Sequence, residues 1–192
     1  MCQLPDRRIC SSEIPFAHLN ALEEIFMKTL TDHLTQYAFY HQNEKNVQTH
    51  FVGIPMIVLA VTTLLSRPAL GQWGSFNLTP AVLVALLSTL FYLRLDVRYG
   101  LAMAVLLAFF VACGQWFASQ SNTVWLVSGV GLFVVGWAFQ FLGHHYEGKK
   151  PAFVDDLVGL LIGPLFLLAE LTFAFHIRLD VQASIQNRLQ KA

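Results

Sequence analysis

The sequence predicts an all-α fold: a polytopic membrane helical bundle of four spanning helices, with an N-terminal amphipathic helix and a re-entrant or interfacial C-terminal helical hairpin. Three observations carry this. Hydrophobic residues make up 55% of the 192, above the roughly 45–50% of soluble domains even with glycine counted. Charged residues are 12%, about half the usual roughly 25% and too few to keep a soluble surface wet. The apolar residues also gather into runs close to the roughly 20 residues that a spanning helix needs.

Taken in order, residues 1–20 hold no apolar stretch of signal-peptide type and are read as an N-terminal extension. HLNALEEIFMKTLTDHLTQYAFYHQ (18–42) reads as one amphipathic helix. Leu22, Ile25, Phe26 and Leu30 recur at helical spacing, opposite Glu23, Glu24 and Lys28. The first span is VQTHFVGIPMIVLAVTTLLS (47–66), with Pro55 near its start. PAVLVALLSTLFYL (80–93) is a shorter second span that needs Arg94 to snorkel or the bilayer to thin. LAMAVLLAFFVACGQWFAS (101–119) and VWLVSGVGLFVVGWAFQFLG (124–143) hold no formal charge and are apolar all round. The last apolar segment, 154–176, carries Asp155, Asp156, Glu170 and a central Pro164, which predicts a hairpin bent at that proline. Residues 21–176 form a single membrane-embedded domain on this reading, and 177–192 a polar tail.

Charge excludes some functions and orients the rest. Twelve Lys and Arg balance twelve Asp and Glu, so there is no basic field to hold nucleic acid. The cysteines Cys2, Cys10 and Cys113 lack any CxxC spacing, against a disulfide or thiolate-zinc scaffold. With four spans, eleven of the twelve Lys and Arg fall on one side and only Arg67 on the other. The positive-inside rule therefore sets the N-terminus, the 94–100 loop and the 144–153 stretch in the cytoplasm. Trp73, Trp116 and Trp125 fall at the opposite ends of the spans, where interfacial aromatics belong.

This topology gathers histidines. His41 precedes the first span, His50 begins it, and His144 and His145 end the fourth, all at the cytoplasmic level. Three imidazoles with a carboxylate or water suit Fe(II), zinc or a similar divalent metal. His41 and His50 lie nine residues apart, which at about 100° per residue puts them on opposite faces of a straight helix. They converge only if the chain breaks between them, and Gln42-Asn43-Glu44-Lys45-Asn46 offers turn and N-cap chemistry for the break. Asn46 and His50 then share a helix face. The spacing equally admits a hydrogen-bonded helix-end cluster without metal. His145 reads as solvated or as supporting a neighbour, while His18, His33 and His176 read as interfacial side chains reaching for headgroups. Glu147 fits a ligand, an acceptor for His144 or an interfacial charge. Gly159 and Gly163 form a small-xxx-small packing pair.

HQNEKNVQTHFVGIP (41–55) resembles the signature H-x-N-x-x-N-x-x-x-H-x-x-G-[IV]-P. WAFQFLGHHYEGKKPAF (137–153) resembles W-x-x-Q-F-x-G-H-x-x-E-x-x-x-P-A. Together, in this order and with spans between them, they resemble the 2-hydroxy fatty acid dioxygenases of fatty-acid alpha-oxidation, small membrane proteins of the yeast endoplasmic-reticulum type, over roughly residues 20–176. The resemblance implies an Fe(2+)-dependent enzyme that shortens a long-chain 2-hydroxy fatty acid by one carbon with O₂. Its motif histidines fall on His41, His50 and His144, the implied metal ligands. Its motif polar residues fall on Asn43, Asn46, Gln140 and Glu147, of which Glu147, Asn46 and Gln140 are candidate catalytic groups. Asn43, Lys149 and Lys150 are candidate contacts to the substrate, and Arg94 or Arg98 also offers charge to its carboxylate. The host membrane would be a bacterial inner membrane or the endoplasmic reticulum, with the metal site facing the cytoplasm.

The chemistry agrees with the resemblance. A 2-hydroxy acid can chelate one metal through carboxylate and hydroxyl oxygens. RCH(OH)COOH + O₂ → RCOOH + CO₂ + H₂O balances without an added reductant, and no glycine-rich phosphate motif argues for a nicotinamide. A membrane di-iron desaturase would need closely spaced histidine boxes that this chain lacks. A transporter would want ionisable groups at the bilayer centre, and the third and fourth spans have none. A non-catalytic membrane organiser, its polar cluster only pinning helices, is the remaining alternative.

Overall fold

The computed structural model describes residues 28–74, 76–149 and 158–191. The N-terminal extension, the first part of the amphipathic segment (residues 18–27), Lys150, Asp155 and Asp156 lie outside these. Among the described residues there are seven helices and one small hairpin: α1 (Leu30–Phe39), α2 (Glu44–Leu65), β1 (Gly71–Trp73), β2 (Phe76–Leu78), α3 (Pro80–Leu95), α4 (Val97–Ala118), α5 (Asn122–Glu147), α6 (Gly159–Ala174) and α7 (Leu179–Leu189). Apart from the hairpin this is an all-α, membrane-type bundle.

Three helices, α2, α4 and α5, are long and apolar enough to cross a bilayer, at 22, 22 and 26 residues. Twenty-two residues rise about 33 Å at 1.5 Å each, close to the roughly 30 Å hydrocarbon thickness. α3 has 16 residues and rises only about 24 Å, the shortfall expected of the 80–93 segment. α2 is the centre of the packing, lying against α5 and α4, while α4 lies against α3.

The ends are set by side chains that satisfy the free amides of each first turn. Thr29 and Asp32 form a reciprocal capping box on α1, Asn43 caps α2, Thr79 precedes Pro80 at the start of α3, and Ser121 caps α5. Asp96 alone separates α3 from α4 and accepts from the Arg98 and Tyr99 amides, so the two helices meet at a one-residue corner. α5 ends on Gly148, whose φ of 68° is readily open only to glycine.

Several expectations are corrected. The amphipathic helix does not run to residue 42. It ends at Phe39, and the chain breaks over Tyr40–Asn43, so Glu44, Lys45 and Asn46 already belong to α2. The amides of Tyr40 and His41 reach back three residues to Tyr37 and Ala38, a tightened last turn that stops the helix. The C-terminal bend does not lie at Pro164, which sits inside α6. A proline in the second turn forfeits one backbone bond, and the helix absorbs it. The bend of 112° lies instead between α6 and α7, where His176 and Arg178 take left-handed φ of 59° and 60°. Arg178 is held there by Asp96, at 2.9 Å, and by the face of Tyr99.

The segment read as a polar tail carries α7, whose Val181 and Ile185 are buried and whose Arg188 pairs with Asp32. α1 thus rests on α6 and α7, over a core that includes Leu34, Leu165 and Phe166. His33 is not an interfacial side chain: it is 3% exposed and meets the ring of Phe91 edge-on. His176 and His145 are exposed, and Glu170 is half-buried. The 67–79 connection, read as a loop, contains the antiparallel β1–β2 pair, with Trp73 opposite Phe76 and Gly74 turning at φ 62°.

Candidate metal centre

The break at Tyr40–Asn43 lifts His41 out of α1 and turns it back over the first turn of α2. Antiparallel packing of α5 on α2 brings His144 to the same level. His41, His50 and His144 are all buried and can each offer a ligand atom such that the three atoms lie within 4.8 Å of one another. Their ring centroids are 4.5 to 5.1 Å apart.

The ring nitrogens show what the cluster can do. His41 Nδ1 lies 2.7 Å from the Tyr37 carbonyl and His50 Nδ1 lies 2.9 Å from the Asn46 carbonyl. A carbonyl only accepts, so both Nδ1 atoms carry the proton and both Nε2 atoms carry a lone pair. Those two Nε2 atoms face each other at 3.0 Å. Between two such tautomers no hydrogen is available to bridge them, and the lone pairs repel until a cation lies between. Two nitrogens each about 2.1 Å from one ion and at right angles to it would be about 3.0 Å apart. Fixing the remote nitrogen on a carbonyl is also how ligating histidines are usually oriented. The donor set therefore fits a divalent transition metal, three neutral imidazoles being suited to iron or zinc. Burial pushes His41 down to about 4, with the Tyr37 carbonyl opposing and His144 and Lys149 adding to the shift. The ring is neutral at physiological pH, as a ligand must be. His144 Nδ1 is buried without a hydrogen-bond partner.

The polar motif residues divide into two groups. Glu147 is not among the clustered ligands. Its carboxylate accepts from the amides of Gln42 (3.1 Å) and Asn43 (2.8 Å) and from Asn46 Nδ2 (3.1 Å), tying the end of α5 to the break that carries His41. Asn43 caps α2 and donates to the Tyr146 carbonyl. Lys149 donates to the Phe39 carbonyl at 2.8 Å and lies over that residue's ring; Lys150 is outside the described residues. Asn46 and Gln140 form the second group. Asn46 is fully buried, and its Oδ1 and the Nε2 of Gln140 have no hydrogen-bond partner.

Two features were missed from the sequence. Tyr37 stacks on His41 with ring centroids 4.1 Å apart and planes 1° from parallel, besides supplying the carbonyl. It lies four residues before His41, so helical spacing could have found it. Gly129, Gly136 and Gly143 form a stripe at intervals of seven on α5. A Cβ at Gly143 would collide with Thr49 Oγ1 and Asn46 Oδ1, and one at Gly136 with Ile57. The stripe lets α5 approach α2 closely enough for His144 to reach its partners.

A cavity of about 430 Å³ opens from this cluster, within the roughly 300–1,000 Å³ of small-molecule sites. Its polar end holds His50, His144, Gln140 and Tyr37; beyond them its walls are mainly apolar groups of α2, α3, α5 and α6.

Comparison with known proteins gives a consistent answer. The family model described as 2-hydroxy-palmitic acid dioxygenase Mpo1-like matches residues 27–175. The 2-hydroxy-palmitic acid dioxygenase MPO1 of Saccharomyces cerevisiae is 34% identical over 163 residues, covering 84% of this chain and 90% of that protein. No solved structure matches.

Proposed function

The chain belongs to the Mpo1-like family, and from that premise we propose that it is an iron(II)-dependent dioxygenase. It cleaves a long-chain 2-hydroxy fatty acid with O₂ to the one-carbon-shorter acid, CO₂ and water. The observation that carries the reading is the pair of Nε2 lone pairs meeting at 3.0 Å beside His144, at the mouth of an apolar cavity.

His41, His50 and His144 would hold the metal, which when bound supplies a site for chelating the hydroxy acid and for activating O₂. The protein's own groups do the rest. Gln140 presents a buried, unpartnered amide donor at the polar end, matched to the substrate's carboxylate or hydroxyl oxygen. Burial holds the Tyr37 hydroxyl above its ordinary value, so it stays protonated against His41. Asn43 and Lys149 are engaged within the protein, and we assign the head group to Gln140 rather than to them. Asn46 and Glu147 hold the His41 break against α5. The apolar walls take the acyl chain and exclude water. The eleven-to-one distribution of Lys and Arg supports a cytoplasmic position for the histidine layer.

The test is anaerobic loading of the purified full chain with iron(II), followed by 2-hydroxypalmitate and air. O₂ uptake matched one-to-one by CO₂ release is expected, with both lost in His50→Ala together with the bound iron. Iron-loaded protein that neither consumes O₂ nor releases CO₂ would overturn the proposal.

A further inference from the structure

The cavity does not stop near the histidines. On α2 it is lined by one continuous face from His50 to Leu65, at steps of three and four residues that keep a single stripe. α3 runs antiparallel beside it, so its first turn, with Ala81, meets the far end and Tyr92 meets the histidine end. At the far end Thr62 spends its hydroxyl on the Leu59 carbonyl. Thr62, Ser66, Thr79 and Ala81 are all buried, so packed chain lies across that far end.

We propose that Leu65, Thr62 and Ala81 form a stop for the methyl end of the acyl chain, limiting the substrate to about 16–18 carbons. The inference rests on reading the histidine end as the head-group site. Fifteen residues separate His50 from Leu65, a rise of about 22 Å at 1.5 Å per residue. An all-trans chain advances about 1.25 Å per carbon, from C–C bonds of about 1.52 Å. The span therefore holds a chain of that length with its 2-hydroxy acid at the imidazoles. A longer chain must buckle against that packed end, and overfilling it by a methylene or two costs roughly tenfold in affinity.

The probe is 2-hydroxypalmitate carrying a diazirine at its terminal carbon, photolysed with the full chain in phosphatidylcholine nanodiscs. Mass spectrometry should find the label on peptides containing Leu65 or Ala81; label spread over the lipid-facing surfaces of α4 and α5 would overturn the stop. Unlabelled 2-hydroxy acids of 12 to 24 carbons then compete for labelling. Competition should strengthen up to 16–18 carbons and fall about tenfold beyond. Ala81→Phe should move that break several carbons shorter and Leu65→Ala move it longer, so one informative variant remains if the other misfolds. A break at the same length in all three proteins, or none to 24 carbons, refutes the inference. Because labelling reads binding, a break that moves as expected without CO₂ release would sink the dioxygenase reading and leave the stop standing.

Discussion

Glu147→Gln separates two roles for its carboxylate. The structure makes it a clamp: three donors converge on it, Gln42 N–H and Asn43 N–H from the His41 break and Asn46 Nδ2 from α2. Hydrogen bonds to a charged group are worth about 1.5–3 kcal/mol each when buried. Gln42 is exposed and Glu147 half-buried, so solvent takes back much of that. Glutamine keeps one acceptor oxygen but turns an NH₂ toward donors, losing one or two of the three bonds. The net loosening should be about 1–2 kcal/mol. At about 1.4 kcal/mol per tenfold, iron(II) should bind roughly 5- to 30-fold more weakly, overlapping the roughly 10- to 100-fold seen for groups that orient ligands. The assay is anaerobic iron(II) titration of wild type and variant, followed by CO₂ release at saturating iron. Excess metal should restore most of the turnover. Loss of binding at every iron concentration would make Glu147 a ligand, and unchanged affinity with unchanged thermal stability would show that the clamp does not position His41.

Gly143→Ala should cost about 1–3 kcal/mol by forcing α5 off α2 and lower metal occupancy, because the new Cβ meets Thr49 and Asn46. Gly131→Ala on the same helix meets nothing within 4 Å and should be neutral or slightly stabilising; equal losses in thermal melts would remove the seam from the account. Asp32 is held down to about 2 from 3.8, chiefly by the Thr29 hydroxyl, with Arg188 also contributing. A depressed carboxyl stabilises the fold above its unfolded value and loses that contribution as pH falls from 3.8 to about 2. Asp32→Asn should therefore lower stability at pH 7 by at most about 1 kcal/mol for so exposed a pair, read as a lower melting temperature, and match wild type near pH 2; a gap unchanged by pH would refute the assignment.

What the sequence reveals of this fold is what repeats locally. The 47–66, 101–119 and 124–143 runs became Glu44–Leu65, Val97–Ala118 and Asn122–Glu147, longer because polar caps such as Asp96 and Ser121 start each helix outside its apolar stretch. The histidine site was legible for a similar reason. Half a turn of phase error between His41 and His50 demanded a break, and a polar pentad lay there to make one. The C-terminal bend was not legible. Pro164 is a strong local signal, but a single missing bond in a second turn is weaker than the grip of Asp96 and Tyr99 on Arg178, 82 residues from Asp96. Glu147 was ambiguous for the same cause, since its partners are backbone amides more than a hundred residues away, and every residue type supplies those. The glycine stripe lies between the cases. Its seven-residue spacing was visible, but its meaning depends on which helix lies against it, and Gly159 and Gly163 offered a more familiar motif. Gly163 of that pair crowds neighbours, Tyr37 and Ile54. Both glycine contacts bear on the imidazoles, Gly143 by letting α5 reach Asn46 and His50, Gly163 by letting α6 press on the tyrosine stacked against His41. The metal-binding geometry is thus a property of helix-to-helix distance as much as of the histidines, and adding a methyl group at Gly163 should disturb it without touching a ligand.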